Sequence, residues 1–206
     1  MAMIPEGLVI IGFGGHARSV ADVALRAGIG KLVFVDEAAR PGEEFAGFAA
    51  QSFWPEPLPG WHAMPASGDA KRREDMIAIA ERRGFEVCSL QSPSAYLGTG
   101  ATIKKGALIA HQAHVGPGAS IGTGAIINTA AVVDHETQIG EYCHIAVNAT
   151  VAGRCLLGRA VMIGAGATVI DNIRICEGVI VGAGAVVIDD ILEPGTFVGN
   201  PARRCK

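Results

Sequence analysis

From Leu97 to Val187 every sixth residue is aliphatic. The series reads L-I-I-V-I-I-V-I-I-V-L-I-V-I-V-V, sixteen positions without a slip. Four residues after each comes a mostly small residue, alanine in nine of the sixteen units. The second position of the unit is glycine in seven, which suggests a turn that needs a permissive backbone. Helices repeat at about 3.6 residues and strands at about 2, so neither alone gives a period of six. The pattern predicts a left-handed parallel β-helix of hexapeptide repeats, each unit supplying one short strand and one turn. Three units close one triangular coil, so residues 18 apart stack and the series makes a little over five coils. A solenoid of this kind leaves flat faces exposed, and a homotrimer is the expected assembly.

Composition agrees with tight, regular packing. Half of the 206 residues are hydrophobic, but only 5% are aromatic, and glycine occurs 28 times, about twice its usual share. The net charge is −3 and no basic run exceeds Lys71–Arg73, which argues against nucleic acid or an anionic membrane as a partner. The cysteines, Cys88, Cys143, Cys155, Cys176 and Cys205, are odd in number and form no CxxC pair. They suit a reducing compartment better than a disulfide framework. The chain shows no signal-peptide apolar region and no long uninterrupted apolar stretch, so a soluble cytoplasmic protein is expected.

The first part of the chain follows another pattern. Leu8–Phe13 reads as a short strand, "GFGGHA" (Gly12–Ala17) turns into a helix over Arg18–Ala27, and Lys31–Val35 is a second strand ending at Asp36. Residues 40–66 are rich in proline, glycine and aromatics and give no assignment. Ser67 or Asp69 caps a helix running to Arg83, stopped by Gly84, and Phe85–Leu90 is a further strand. The expectation is a small Rossmann-like βαβ domain over residues 1–93 followed by the β-helix over 94–206.

Two places carry chemistry. Gly12, Gly14 and Ala17 satisfy the loose G-x-G-x-x-G/A pattern between a strand and a helix, and Asp36 follows where a ribose-binding acid belongs. Small residues there let backbone N–H groups approach a phosphate at the helix N-terminus. About 90 residues hold only one half of a dinucleotide fold, so a nucleotide moiety such as that of a nucleotide sugar fits better than NAD. A tight turn without a ligand is the alternative, which His16 at the mouth of the helix weakens. The second place is "VVDHETQIG". His135 takes the third position of its hexapeptide and points outward, Glu136 could orient it and raise its basicity, and Gly153 stacks one coil later. The backbone N–H of Gly153 would be a natural oxyanion donor. His111, His114, His135 and His144 raise the question of a metal, but no closely spaced zinc-binding pair is present and none is expected. His111 and His114 read as surface residues of the lower coils.

Taken together, "GFGGH", "GDAKRREDMI", the uninterrupted hexapeptide series, "NTAAVVDHETQIG" and "VGNPARRCK" resemble bacterial sialic-acid O-acetyltransferase-like proteins. Within that group the chain is most similar to nucleotide-4-amino-sugar N-acetyltransferases of the bacillosamine-pathway type. The resemblance implies acetyl-CoA as co-substrate, a nucleotide-linked amino sugar as acceptor, glycan biosynthesis as the setting, and a homotrimer with active sites between subunits. It implies His135 as the catalytic base, Glu136 as the residue that raises its basicity, and Asn128 as a polar group lining the site. It implies His144, Ala165 and Ala183 as acetyl-CoA contacts, and Gly14, Gly15, His16, Asp36, Glu37 and Gly68 as the loops holding the nucleotide sugar. The resemblance favours a UDP-linked sugar, but Asp36–Glu37 and the long, aromatic stretch 41–66 depart from the usual pattern where the base and sugar are read, which leaves GDP and the exact sugar open.

The mechanism expected is direct acetyl transfer, with His135 removing a proton from the sugar's 4-amino group and Gly153 stabilising the oxyanion. An acyl-enzyme is disfavoured because Cys143 and Cys155 occupy inward fifth positions of their units. Sialic acid O-acetylation on the same fold is the alternative reaction, and a non-catalytic nucleotide-binding scaffold the alternative class.

Overall fold

The computed structural model describes residues 5–205; the outermost ends of the two expected domains lie outside them. The chain divides into two compact units, Met1–Pro93 and Ser94–Lys206.

The first unit is a six-stranded, mainly parallel sheet with helices. Its elements are β1 (Gly7–Ile11), α1 (Gly15–Arg26), β2 (Leu32–Val35), β3 (Glu44–Phe45), β4 (Phe48–Gln51), β5 (Trp61–Pro65), α2 (Ala70–Arg82) and β6 (Glu86–Val87). The sheet order is β3-β4-β2-β1-β5-β6. β1 is buried along its whole length and pairs in parallel with β2 on one side and β5 on the other. α1 packs an apolar stripe of Ala17, Val20, Ala21, Val23 and Ala24 inward. Three details differ from the sequence expectation. α1 begins at Gly15 rather than Arg18, because glycine with an extended Gly14 before it (φ −76°, ψ −173°) enters a helix unhindered. The stretch 40–66 contains the β3–β4 hairpin and β5. Its turn, Ala46–Gly47, has positive φ at both residues (53° and 80°), and the alanine conceals a signal that Asn-Gly would have announced. Phe85–Leu90 is not one strand: only Glu86–Val87 joins this sheet, and a separate two-residue strand follows at Leu90–Gln91.

α2 starts and stops as its caps require. Asp69 Oδ1 accepts from the N–H of Arg72 at 2.8 Å, and Gly84 (φ 84°) lets Phe85 N–H return to the carbonyl of Ala80 at 3.0 Å.

The second unit is a left-handed parallel β-helix of hexapeptide repeats. Two-residue strands stack in parallel into three sheets with an 18-residue register, as in Val115↔Val133 and Val133↔Val151, and one sheet ends in an antiparallel pair of Thr196–Val198 with Arg203–Arg204. From Ile109 to Val187 no member of the aliphatic series is more than 4% exposed. Each such side chain contributes about 1.5–3 kcal/mol on burial, so this ladder is the main stabilising force of the unit. Cys143 and Cys155 are fully buried in the same core.

The turn chemistry corrects the sequence reading. All fifteen fourth positions from Gly100 to Gly184 have positive φ, including the non-glycine residues Glu136 and Arg154 at 58° and 55°. The second-position glycines do not. They are required by stacking: a Cβ on Gly116 would sit 2.6 Å from the backbone N of His135, and one on Gly164 2.5 Å from that of Ala183. Among the described residues, no helix is long and apolar enough to cross a membrane.

Candidate active site

In the first unit the predicted nucleotide-binding residues gather at the carboxyl ends of β1, β2 and β5. Strand order reverses at β1, between β2 and β5, which is the switch point where α/β sheets open a crevice for ligands. Gly12 is needed by the fold itself, with φ 111° and the carbonyl of Ala66 only 3.1 Å from where a Cβ would be. Gly14 and Gly15 are not: a Cβ on either meets nothing within 4 Å. The first turn of α1 carries no acidic residue and Gly14 supplies no side-chain cap, so no side chain of that turn offsets the positive end of the helix. His16 is half-buried on that turn and Glu37 is exposed.

Asp36 does more local work than the sequence suggests. Its Oδ2 accepts from the N–H of Phe13 and its Oδ1 from the N–H of Ala38, both at 2.9 Å. The carboxylate thereby ties the glycine-rich turn to the end of β2. The loop at Gly68 has a tie of its own. Arg73, only 1% exposed, places Nη1 3.0 Å from the carbonyl of Ser67 and 2.8 Å from that of Gly68. Arg73 was missed in the sequence because it lies within an exposed-looking basic run.

In the second unit His135 follows strand Val132–Val133 and is half-buried, its ring lying against Gly153. A Cβ built on Gly153 would lie 2.5 Å from Nε2 and 2.8 Å from Nδ1, so the ring needs a glycine there. The N–H of Gly153 makes no hydrogen bond within the described residues. Just inside, the buried hydroxyl of Thr137 donates to the carbonyl of Ala152 at 2.7 Å and accepts from the N–H of Cys155 at 3.1 Å, which fixes the two coils together.

The carboxylate that reaches the imidazole is Asp134, not Glu136. Asp134 Oδ1 lies 3.1 Å from His135 Nδ1 and accepts from the His135 backbone N–H at 2.6 Å. Those bonds, the backbone one first, hold the Asp134 carboxyl below its ordinary range. Glu136 is turned away by its left-handed backbone: its Cγ is 3.6 Å from where a Cβ on Gly118 would stand, and its carboxylate makes no hydrogen bond or ion pair among the described residues. On the other ring nitrogen, Arg154 Nη1 lies 3.3 Å from Nε2. Arg154 stands 18 residues after Glu136, and the stacking period would have found it.

The remaining predicted residues lie along another edge of the prism. Asn128 follows strand Ile126–Ile127, and its Nδ2 faces His144 Nε2 at 3.2 Å. Ala165 and Ala183 stack in the same turn one and two coils beyond Val147 and are exposed. Met162 and Ile180, 39% and 44% exposed, continue the face of His144. Gly166 and Gly184 in those turns have open space around them. A shallow strip of small and apolar residues results, of a kind that suits the slender pantetheine arm of a coenzyme A thioester. Within the chain this strip and the His135 corner lie in different turns, separated by strand Val132–Val133. Among the described residues no group of three His, Cys, Asp or Glu side chains is placed to hold a metal.

Known proteins share this fold. The PglD N-terminal domain matches residues 7–79, and the bacterial transferase hexapeptide (six repeats) matches residues 154–189. The acetyltransferase domain of PglB from Neisseria gonorrhoeae FA1090 is 32% identical over 97% of this chain and 100% of its own, with a TM-score of 0.89. This chain belongs to the hexapeptide-repeat acetyltransferases that carry a PglD-type N-terminal domain. Another structure of that PglB domain, in complex with acetyl coenzyme A, aligns over 98% of the chain with the same identity and TM-score. A histidine-to-alanine variant of GDP-perosamine N-acetyltransferase from Caulobacter crescentus, in complex with CoA and GDP-perosamine, is 30% identical over 97% of both chains, with a TM-score of 0.87. Comparison with the curated proteins gives no match. Both the PglD-type N-terminal domain and the hexapeptide repeats of these acetyltransferases are thus present in one chain.

Proposed function

We propose that this acetyltransferase transfers the acetyl group of acetyl-CoA to the 4-amino group of a nucleotide-linked amino-dideoxy sugar, with Nε2 of His135 as general base. The observation that carries the reading is the imidazole itself. Its Nδ1 is engaged by Asp134, which leaves the lone pair on Nε2, and its face rests on a glycine with a free N–H. The relatives in complex with acetyl coenzyme A and with CoA and GDP-perosamine support the choice of co-substrate and acceptor.

The amine nitrogen attacks the thioester carbonyl while its proton passes to Nε2. The tetrahedral oxyanion is met by the Gly153 N–H, the C–S bond breaks, and the imidazolium returns the proton to the departing thiolate. Asp134, rather than Glu136, holds the ring and steadies its positive charge. Cys155 offers no competing route, since burial pushes its thiol pKa up and keeps it protonated. Gly14, Gly15 and the open end of α1 receive the diphosphate of the acceptor, with His16, Glu37 and the Gly68 loop around it. Asn128, His144, Ala165 and Ala183 line the acetyl-CoA strip. Because that strip and the His135 corner occupy different edges of one prism, the complete site is formed between copies in a homotrimer. The enzyme works in the cytoplasm on a glycan precursor.

The test is an acceptor panel monitored by CoA release: UDP- and GDP-linked 4-amino sugars, and free or CMP-linked sialic acid. Turnover of either 4-amino sugar with acetyl on nitrogen supports the reading. Turnover of sialic acid alone replaces it with O-acetylation, and no CoA release with any acceptor leaves a binding scaffold.

A further inference from the structure

The guanidinium of Arg154 sits where the acceptor amine must go. Its root is fixed, since the Arg154 backbone N–H donates to the carbonyl of His135 at 2.9 Å. Its tip bridges two groups: Nη1 is 3.3 Å from His135 Nε2, and Nη2 donates to Asp171 Oδ2 at 3.2 Å. A guanidinium has donors only, so the Nε2 lone pair is the acceptor in this contact. A ring nitrogen has one lone pair in the plane. The amine cannot deliver a proton to it while Arg154 holds it.

We propose that Arg154 is a displaceable latch on the catalytic base, with Asp171 as its holder: a positioning residue that occupies Nε2 until the acceptor amine replaces it. Within the single chain both latch side chains are exposed, 52% for Arg154 and 61% for Asp171, so no packing from the chain itself holds the arm in place. An exposed pair of this kind is worth at most about 1 kcal/mol, which corresponds to roughly a fivefold bias toward the closed state. A base that is open only part of the time weakens apparent acceptor binding by that fraction and leaves the chemical step untouched. The latch therefore sets the acceptor KM rather than kcat. It also protects a nucleophilic imidazole while the acceptor site stands empty.

The proposal rests on His135 being the base, and its test has a readout that does not depend on turnover. Wild type, Arg154→Ala and Asp171→Asn are treated with diethyl pyrocarbonate without substrates, at mildly alkaline pH where imidazoles are neutral. The rate of ethoxycarbonyl addition is followed by peptide mass at His135, with His144 as internal reference. His135 labelling should rise about two- to fivefold in Arg154→Ala and by less in Asp171→Asn, with His144 unchanged. Steady-state kinetics on the same proteins should show the acceptor KM falling about two- to fivefold in Arg154→Ala, with kcat within a factor of about two. Unchanged labelling overturns the latch. So does a kcat reduced about a hundredfold at constant KM, which would place Arg154 in the transition state, or a raised acceptor KM, which would make it a substrate anchor. If wild type acetylates no acceptor, the function proposed above fails, while the labelling result still judges the latch.

Discussion

The imidazole of His135 occupies the space that a side chain at Gly153, stacked on it in the neighbouring coil, would fill. A Cβ there would approach Nε2 to 2.5 Å. Gly153 does not have a positive φ, so the fold itself would accept alanine. Gly153→Ala should therefore push the ring aside without unfolding the solenoid. A displacement of about 1 Å at a reacting group can cost about a hundredfold. Steady-state kinetics should show kcat reduced about ten- to a hundredfold, with a melting temperature within a few degrees of wild type.

Asp134 and Glu136 separate cleanly by mutation. Asp134→Asn removes the charge that faces Nδ1 and should lower kcat about tenfold, a part of the ~10²–10⁴ typical of general base catalysis. Glu136→Gln should stay within about twofold of wild type, because its carboxylate touches no part of the ring. The Asp134 carboxyl is held below its ordinary pKa by bonds from His135. Its native value lies below its unfolded one, so its contribution is complete above the unfolded pKa and is lost only as pH falls through the depressed value. Asp134 should accordingly titrate below the usual carboxylate range in carbon-detected NMR, and should stay below it in His135→Ala, moving only part of the way back, because alanine keeps the backbone N–H at position 135 and removes only the ring.

In the first unit, Gly14→Ala should leave stability unchanged, since a Cβ meets nothing within 4 Å and the backbone is extended. It should raise the nucleotide-sugar KM about tenfold or more by intruding where the diphosphate approaches the helix end. Arg73→Met should instead lower stability. It leaves the carbonyls of Ser67 and Gly68 without the Nη1 donor that now serves both, at a cost of about 1–3 kcal/mol seen in urea melts.

Cys155 lies beside the His135 corner but inside the core, with Sγ 3.1 Å from the carbonyl of Ile170. Cys155→Ala should keep kcat within about twofold and show no loss of an acyl-enzyme by intact mass, because burial keeps the thiol protonated.

The solenoid was legible because one short period repeats and every violation would expose an aliphatic side chain. The sheet of the first unit was half legible. β1, α1 and β2 carry strong apolar runs, whereas the β3–β4 hairpin turns on Ala46, a residue that seldom takes positive φ. The placement of the candidate residues was legible wherever the 18-residue stacking applied, as for His135 beside Gly153. Adjacent residues were not. Whether Asp134 or Glu136 reaches the ring depends on the left-handed fourth position, which swings Glu136 toward Gly118. The glycines at second positions were recognised as necessary but for the wrong reason, since close approach between coils, and not turn geometry, excludes a Cβ there.

The central claim is that Nε2 of His135 takes the acceptor's proton. The most direct measurement is kcat for acetyl transfer to the best nucleotide-linked amino sugar by wild type and His135→Ala, with CoA binding measured on both. The account predicts kcat lower by about 10²–10⁴ in His135→Ala, with CoA affinity and melting temperature retained. A His135→Ala enzyme that turns over at near wild-type rate at neutral pH would contradict it.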